Sequence, residues 1–210
     1  MQTKTKIALA LVVFAIFAAT GARAPSSPSS PSSPKGSRVL TDELIKRIDP
    51  NVKKNYASAL NPAMTAGSIT TSPRVAAFLA QILHESGSFQ FLRELASGTA
   101  YEGRKDLGNT QPGDGVRYKG RGFIQLTGRA NFRSAGSDLG LDLENNPDLA
   151  EQPDIAARLA VWFWNKKNLN AKADAGDFVG ITRAINGGTR GLQERIRLYE
   201  SAKQVLSAVA

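Results

Sequence analysis

At 210 residues and a formal net charge of +9, with 27 Lys and Arg against 18 Asp and Glu, the chain has room for one domain plus appendages and is biased toward an anionic partner. It contains no cysteine, which excludes disulfides, thiolate metal sites and cysteine nucleophiles, and its single histidine leaves neither a ligand set for a zinc hydrolase nor a setting for a Ser-His-Asp triad. The basic residues are scattered and no nucleic-acid motif accompanies them, so the expected partner is not nucleic acid, and no metal or cofactor is expected.

Residues 1–6 carry two lysines, residues 7–19 are uninterruptedly apolar or small, and Ala22-Arg23-Ala24 has the small-x-small form of a cleavage site. Together they read as a secretory signal over 1–24. The apolar run is shorter than the roughly 20 residues of a membrane span. Pro25 directly after the cleavage point is unfavourable, and Thr20-Gly21-Ala22 is only a substitute. The alternative is therefore an uncleaved anchor that tethers the chain to the inner membrane. Residues 25–38 repeat Ser-Ser-Pro three times and offer no apolar side chain beyond proline, as in a semi-extended linker. A folded domain is expected over 39–210, exported to the periplasm or the exterior and monomeric.

Within that domain, Thr41 opens a cap-like Thr-Asp-Glu-Leu run whose helical spacing continues through Ile45 and Ile48, and a second short helix is expected around 52–64. Ser72 as N-cap and Pro73 at the first helical position announce a third, apolar almost all round, which stops at Gly87. From 87 to 122 glycines recur without periodicity, as in a long functional loop region with a short β-hairpin. Helical patterns return at 128–139, 153–166, 178–185 and 193–206. The expected fold is mainly α, with a cleft lined by the glycine-rich loops.

His84-Glu85-Ser86 closes the third helix. At 100° per residue Glu85 lies roughly 20° around the wheel from Phe78, on the apolar stripe. A carboxyl group half withdrawn from water has its ionised form disfavoured and can hold a proton near neutral pH, which is the profile of a general acid. The alternatives are a helix-ending Glu85 that faces solvent and a His84 that is simply a satisfied core residue. Inverting hydrolysis of a glycosidic bond needs a second carboxylate, about 6.5–9.5 Å from the first, to activate water. Glu102 in Tyr101-Glu102-Gly103-Arg104 is the foremost candidate, because the neighbouring Arg104 would keep it ionised; Glu94, Asp106 and Asp114 are chemically eligible too.

His84-Glu85-Ser86, Tyr101-Glu102-Gly103-Arg104, the run Tyr118-Lys119-Gly120-Arg121-Gly122-Phe123-Ile124-Gln125-Leu126-Thr127, Asn131, and Ile185-Asn186-Gly187-Gly188 ahead of Arg195-Ile196-Arg197-Leu198-Tyr199 together resemble glycoside hydrolase family 19, the plant-type chitinases and their bacterial and phage lysin relatives. The resemblance spans roughly 39–206. It implies a lysozyme-like, two-lobed helical domain with a substrate cleft, Glu85 as general acid, Glu102 as general base and Thr127 holding the attacking water. It further implies that His84, Tyr118, Gln125, Asn131, Asn186 and Arg195 bind substrate, with Tyr118 offering an aromatic face and Arg195 orienting or charge-balancing the acids. Gly120, Arg121 and Gly122 serve either the site or only the loop's backbone.

The missing cysteines and the compact 85–102 interval depart from the plant enzymes, and residues 104–115 look more like the lysin branch. The expectation is an inverting hydrolase of β-1,4 bonds in peptidoglycan, whose lactyl and peptide carboxylates suit a basic protein. The rivals are a chitinase of the same mechanism, a non-catalytic glycan-binding protein on this fold, and a lytic transglycosylase, which needs only one acid.

Overall fold

The structure is a computed structural model that describes residues 39–209, so the segments expected at 1–24 and 25–38 lie outside the described residues. Helix α1 (Asp42–Ile48) starts where the sequence places it. The Thr41 hydroxyl accepts from the Leu44 N–H at 3.2 Å, acids occupy the first turn and bases the last, and the helix dipole is matched at both ends. Helix α2 (Ala57–Ala66) begins later than the apolar spacing from Val52 implies. Its Ala57 N–H donates to the Asp42 carboxylate at 2.8 Å, so the cap comes from a different helix and leaves no local sequence signal. Asn61 on α2 exchanges two hydrogen bonds with the backbone of Leu40 and fixes where the packed region starts.

Helix α3 (Ser72–Glu85) is followed, among the described residues, by α4 (Asp114–Arg117), α5 (Arg129–Leu139), α6 (Pro153–Lys166), α7 (Leu169–Asp174), α8 (Phe178–Asn186) and α9 (Leu192–Ser207). The domain is mostly helical, as expected. In α3 every residue from Ala76 to Leu83 is buried, as is Glu85, so the helix runs through the core. It packs mainly on α9 and also on α7 and α8, while α2 lies on α6. Phe78 meets Trp164 of α6 edge-on at 5.4 Å, an arrangement worth about 0.5–1.5 kcal/mol beyond its buried area.

The chain leaves α3 through three successive left-handed residues, Gly87, Ser88 and Phe89, at φ of 57°, 58° and 63°. Left-handed backbone is strained for a bulky residue and persists only where the surroundings over-determine it. Here Phe89 is fully buried against Tyr56 and Phe123, and the Ser88 hydroxyl donates to the buried Asp49 carboxylate at 2.6 Å. The end of the helix that carries Glu85 is thereby held by packing.

The β-hairpin expected between 87 and 122 does not form. Two isolated antiparallel bridges, Arg93 with Arg121 and Arg121 with Leu126, stand in its place, together with 3-10 turns at Thr99–Tyr101 and Lys105–Leu107 and the short α4. The glycines at 98, 103, 108 and 113 all adopt positive φ, which turns the chain before a strand pair can extend. No helix among the described residues is long and apolar enough to cross a membrane.

Candidate active site

Glu85 is buried, but its partner is a cation rather than the apolar stripe the helical wheel suggests. One carboxylate oxygen pairs with Arg195 Nη2, and the two side chains are 3% and 2% exposed. Arg195 Nη1 donates to Gln81 Oε1, and Nε reaches the Arg190 carbonyl at 3.3 Å. Gln81 and Glu85 stand one turn apart on the same face of α3 and present two acceptors to the two arms of one guanidinium. Gln81 Nε2 donates in turn to the Thr182 hydroxyl on α8 at 2.9 Å. Gln81 thus joins the Glu85–Arg195 cluster, a place that the motifs singled out in the sequence did not give it. The signal was present: a lone polar side chain, four before the glutamate, in an otherwise apolar run.

Asn186 belongs to the same corner. Its Nδ2 donates to the Arg190 carbonyl at 2.9 Å and its Oδ1 accepts from the Gly188 N–H, clasping the turn whose carbonyl receives Arg195. His84 is mostly covered, with its ring beneath Gly191, where an added Cβ would lie 2.4 Å from Nε2. Its Nδ1 sits 2.9 Å from a Glu194 oxygen but without hydrogen-bond geometry. Burial, and after it the nearby positive charge of Arg195, pushes the imidazole below its ordinary pKa and keeps it neutral, against the smaller opposing pull of Glu85 and Glu194.

Glu102 sits in a different environment. It is exposed and follows the Thr99–Tyr101 turn, and its two carboxylate oxygens accept from the backbone N–H groups of Gly113 at 2.6 Å and Gly115 at 2.8 Å. Arg104 is not its partner. That guanidinium turns to Asp106, donating through Nε at 2.7 Å, and holds Asp106 below the usual carboxylate range. Gly115 is required by close approach: a Cβ there would lie 2.6 Å from the Glu102 nitrogen and 2.7 Å from the Gly98 carbonyl.

The other eligible acids are committed elsewhere. Asp114 is buried under Arg129, which donates to both its oxygens and lowers its pKa. Glu94 is buried and accepts from the Tyr101 hydroxyl and the Gly120 N–H, both at 3.0 Å. It therefore braces the residue before Glu102 against the loop that carries Gln125, a role its position in the sequence does not announce.

Gln125, at φ 54°, donates through Nε2 to the carbonyls of Gly122 and Phe91 at 3.0 and 3.2 Å, which leaves Oε1 as its acceptor. The Thr127 hydroxyl is buried and donates to the Gln125 carbonyl at 2.9 Å, and Asn131 Nδ2 donates to the Thr127 carbonyl at 2.7 Å. The three residues form one chain of hydrogen bonds. Tyr118 departs from expectation. Its side chain is 1% exposed, packed on Phe132 and under Arg129, and its hydroxyl donates to the Glu144 carbonyl at 2.8 Å. It offers no free aromatic face, because the polar tip found a backbone partner inside the domain. Among the described residues no three Asp, Glu or His side chains are grouped to hold a metal ion.

The family model described as chitinase class I, glycoside hydrolase family 19, matches residues 52–182, a span that contains Glu85, Glu102, Gln125, Thr127 and Asn131 and stops short of Asn186 and Arg195. A glycosyl hydrolase family 19 domain-containing protein of Haemophilus influenzae is 29% identical over 194 residues, covering 78% of this chain and 95% of that one. An endochitinase of Arabidopsis thaliana is 45% identical over 115 residues, or 54% of this chain; the chain spans only 39% of that relative's length. The crystal structure of chitinase C from Streptomyces griseus superposes with a TM-score of 0.70 at 27% identity, covering 84% of this chain and 96% of that one.

Proposed function

The chain belongs to glycoside hydrolase family 19, and from that premise we propose that it cuts the β-1,4-linked glycan of peptidoglycan with inversion at the anomeric carbon. The observation that carries the mechanism is the unlike housing of two carboxylates, one buried on an arginine and one exposed on backbone amides. Divided environments are what divided acid and base work requires. Glu85, with one oxygen held by Arg195, takes up a proton on the other before the bond is cut and delivers it to the leaving glycosidic oxygen. Glu102 accepts the proton of the attacking water. Because the Thr127 hydroxyl already donates to the Gln125 carbonyl, it accepts from that water rather than donating to it, which leaves the water's second proton for Glu102. Arg195 and Asn186 act as positioning residues, while the remaining acceptor of Gln125 and the side chain of Asn131 face sugar hydroxyls and N-acetyl groups.

Peptidoglycan is preferred to chitin on charge: a chain of net +9 gains from a polymer that carries lactyl and peptide carboxylates. The N-terminal 24 residues serve as an export signal or anchor that brings the domain to that polymer. A chitinase reading is favoured by the names of the plant and Streptomyces relatives. Mass spectrometry of the products from purified peptidoglycan and from chitin oligomers separates the two. Peptidoglycan fragments with unmodified reducing ends support the proposal. Anhydro-sugar ends, or turnover of chitin oligomers alone, overturn it.

A further inference from the structure

Behind the loop that holds Glu102 lie two open depressions of about 610 Å³ each, which meet at Val116, Arg117 and Asn145. One reaches Gly113, whose N–H anchors Glu102, and the other runs past Lys119 to Arg93 and Arg121. They form one groove along α4. Its charges do not cancel. Arg93 and Arg121 share Asp148 and Glu151, and Arg129 is spent on Asp114 and Glu144. Arg117 and Lys119 form no ion pair among the described residues. Each is nonetheless fixed in place. Arg117 donates to the Asn145 carbonyl at 2.6 Å and to the Tyr118 hydroxyl at 3.2 Å, and Lys119 Nζ donates to the Ala96 carbonyl at 2.9 Å. Two pre-positioned cations whose protein partners are neutral keep their charge for an external anion, at little further cost in side-chain entropy. Val116, 49% exposed between them, adds an apolar contact.

We propose that this groove binds the carboxylates of a glycan strand outside the bond-cleaving site, with Arg117 and Lys119 as the contacts. The inference rests on the peptidoglycan reading, since an uncharged chitin strand offers the two cations nothing. A strand held there lies on the element whose amides orient Glu102, so binding in the groove and alignment of the base share one support.

The test uses the full chain, an Arg117→Gln/Lys119→Gln double variant and the charge-retaining Arg117→Lys/Lys119→Arg pair, all checked for an unchanged melting temperature. The substrates are sacculi free of teichoic acid and a neutral N-acetylglucosamine hexamer. On sacculi the double variant should raise KM about fivefold, leave kcat within twofold and lose the salt dependence of KM shown by the wild type, as expected for two exposed charge contacts. The charge-retaining pair should restore all three, and KM on the hexamer should not change. Cosedimentation with sacculi whose carboxylates have been amidated should be as weak for the wild type as for the double variant. An unchanged KM and salt response on sacculi, or an equal KM rise on the hexamer, overturns the inference while leaving the peptidoglycan reading intact. If the wild type cleaves only the hexamer, the reading fails, and charge-dependent cosedimentation then upholds or overturns the groove by itself.

Discussion

Replacing Glu85 by glutamine tests both the chemistry assigned to it and the architecture around it. The amide keeps the shape and one acceptor for Arg195 Nη2, but it can neither supply the charge that matches a guanidinium that is 2% exposed nor take up and deliver a proton during turnover. Loss of general acid catalysis lowers kcat by about 10² to 10⁴-fold. Removing one partner of a buried ion pair costs about 3–5 kcal/mol, and the retained acceptor argues for the lower end. In a domain of this size each kcal/mol moves the melting temperature by about 2–4 °C, so the expected fall is about 6–12 °C. The variant still folds, because about 3 kcal/mol is taken from a total of about 5–15. Arg195→Met should cost more, since it strands the Glu85 carboxylate and the Gln81 side-chain Oε1 together. The Glu85→Gln/Arg195→Met double variant should recover part of that loss, with a coupling energy of about 1–3 kcal/mol. Thermal melts and turnover on purified peptidoglycan read both quantities. A Glu85→Gln protein that melts with the wild type refutes the ion pair as a structural element, and one that retains more than a tenth of wild-type turnover refutes Glu85 as the acid.

Glu102→Gln should reduce kcat as severely with little effect on melting, because its carboxylate is exposed and both partners are backbone amides; nuclear magnetic resonance of the first product anomer should report inversion, and a retained anomer contradicts the one-water scheme. Gly115→Ala drives a Cβ into the Glu102 nitrogen and the Gly98 carbonyl, so kcat should fall about 10²-fold through misplacement of the base, and wild-type turnover would show that the loop's position does not matter. The neutral His84 gives a pH signature. Its folded-state pKa lies below the ordinary value of about 6.5, so its contribution is complete above that value and is lost as pH falls from there through the folded pKa. As the only histidine, it should make the melting temperature decline as pH falls below about 6.5 in the wild type but less so in His84→Gln; a histidine resonance titrating above 6.5 would mean that Glu194 outweighs burial.

The helices that bury a long stripe were legible from periodicity. The 153–166 pattern matches α6 at both ends, and α3 is displaced only at its start, where Thr71 rather than Ser72 takes the N-cap position. What failed did so for identifiable reasons. The onset of α2 is set by the Asp42 carboxylate fifteen residues earlier in the chain, and α7, six residues long after the left-handed Asn168, is too short to show a period. At the site, sequence spacing located the acids but not their partners. Arg104, adjacent in sequence to the Glu102 segment, went to Asp106, whereas Arg195 came to Glu85 from 110 positions away. Proximity along the chain is a poor guide to ion pairs where loops turn at every few residues. Tyr118 illustrates the converse error: an aromatic side chain with a polar tip suits a sugar face, but the same tip suits a buried backbone carbonyl, and only the packing decides between them.

The two carboxylates differ in what sustains them, and this bears on how the site can vary without losing its chemistry. Glu85 depends on the packing of α3 against α9, since Arg195 projects from α9 and its guanidinium is also tied to Gln81 and the Arg190 carbonyl. A change that shifts one of those helices against the other separates the acid from its partner. Glu102 depends on amides eleven and thirteen residues later in the same loop region, so its geometry is set locally and makes no use of the exposed side chains of α4. Both donors are glycines for a local reason: Gly113 sits at φ 88°, where a side chain is strained, and a Cβ at Gly115 would collide. The outer surface of α4, where Val116 and Arg117 stand exposed, is therefore free to change with the polymer being cut, while the base beneath it keeps its place.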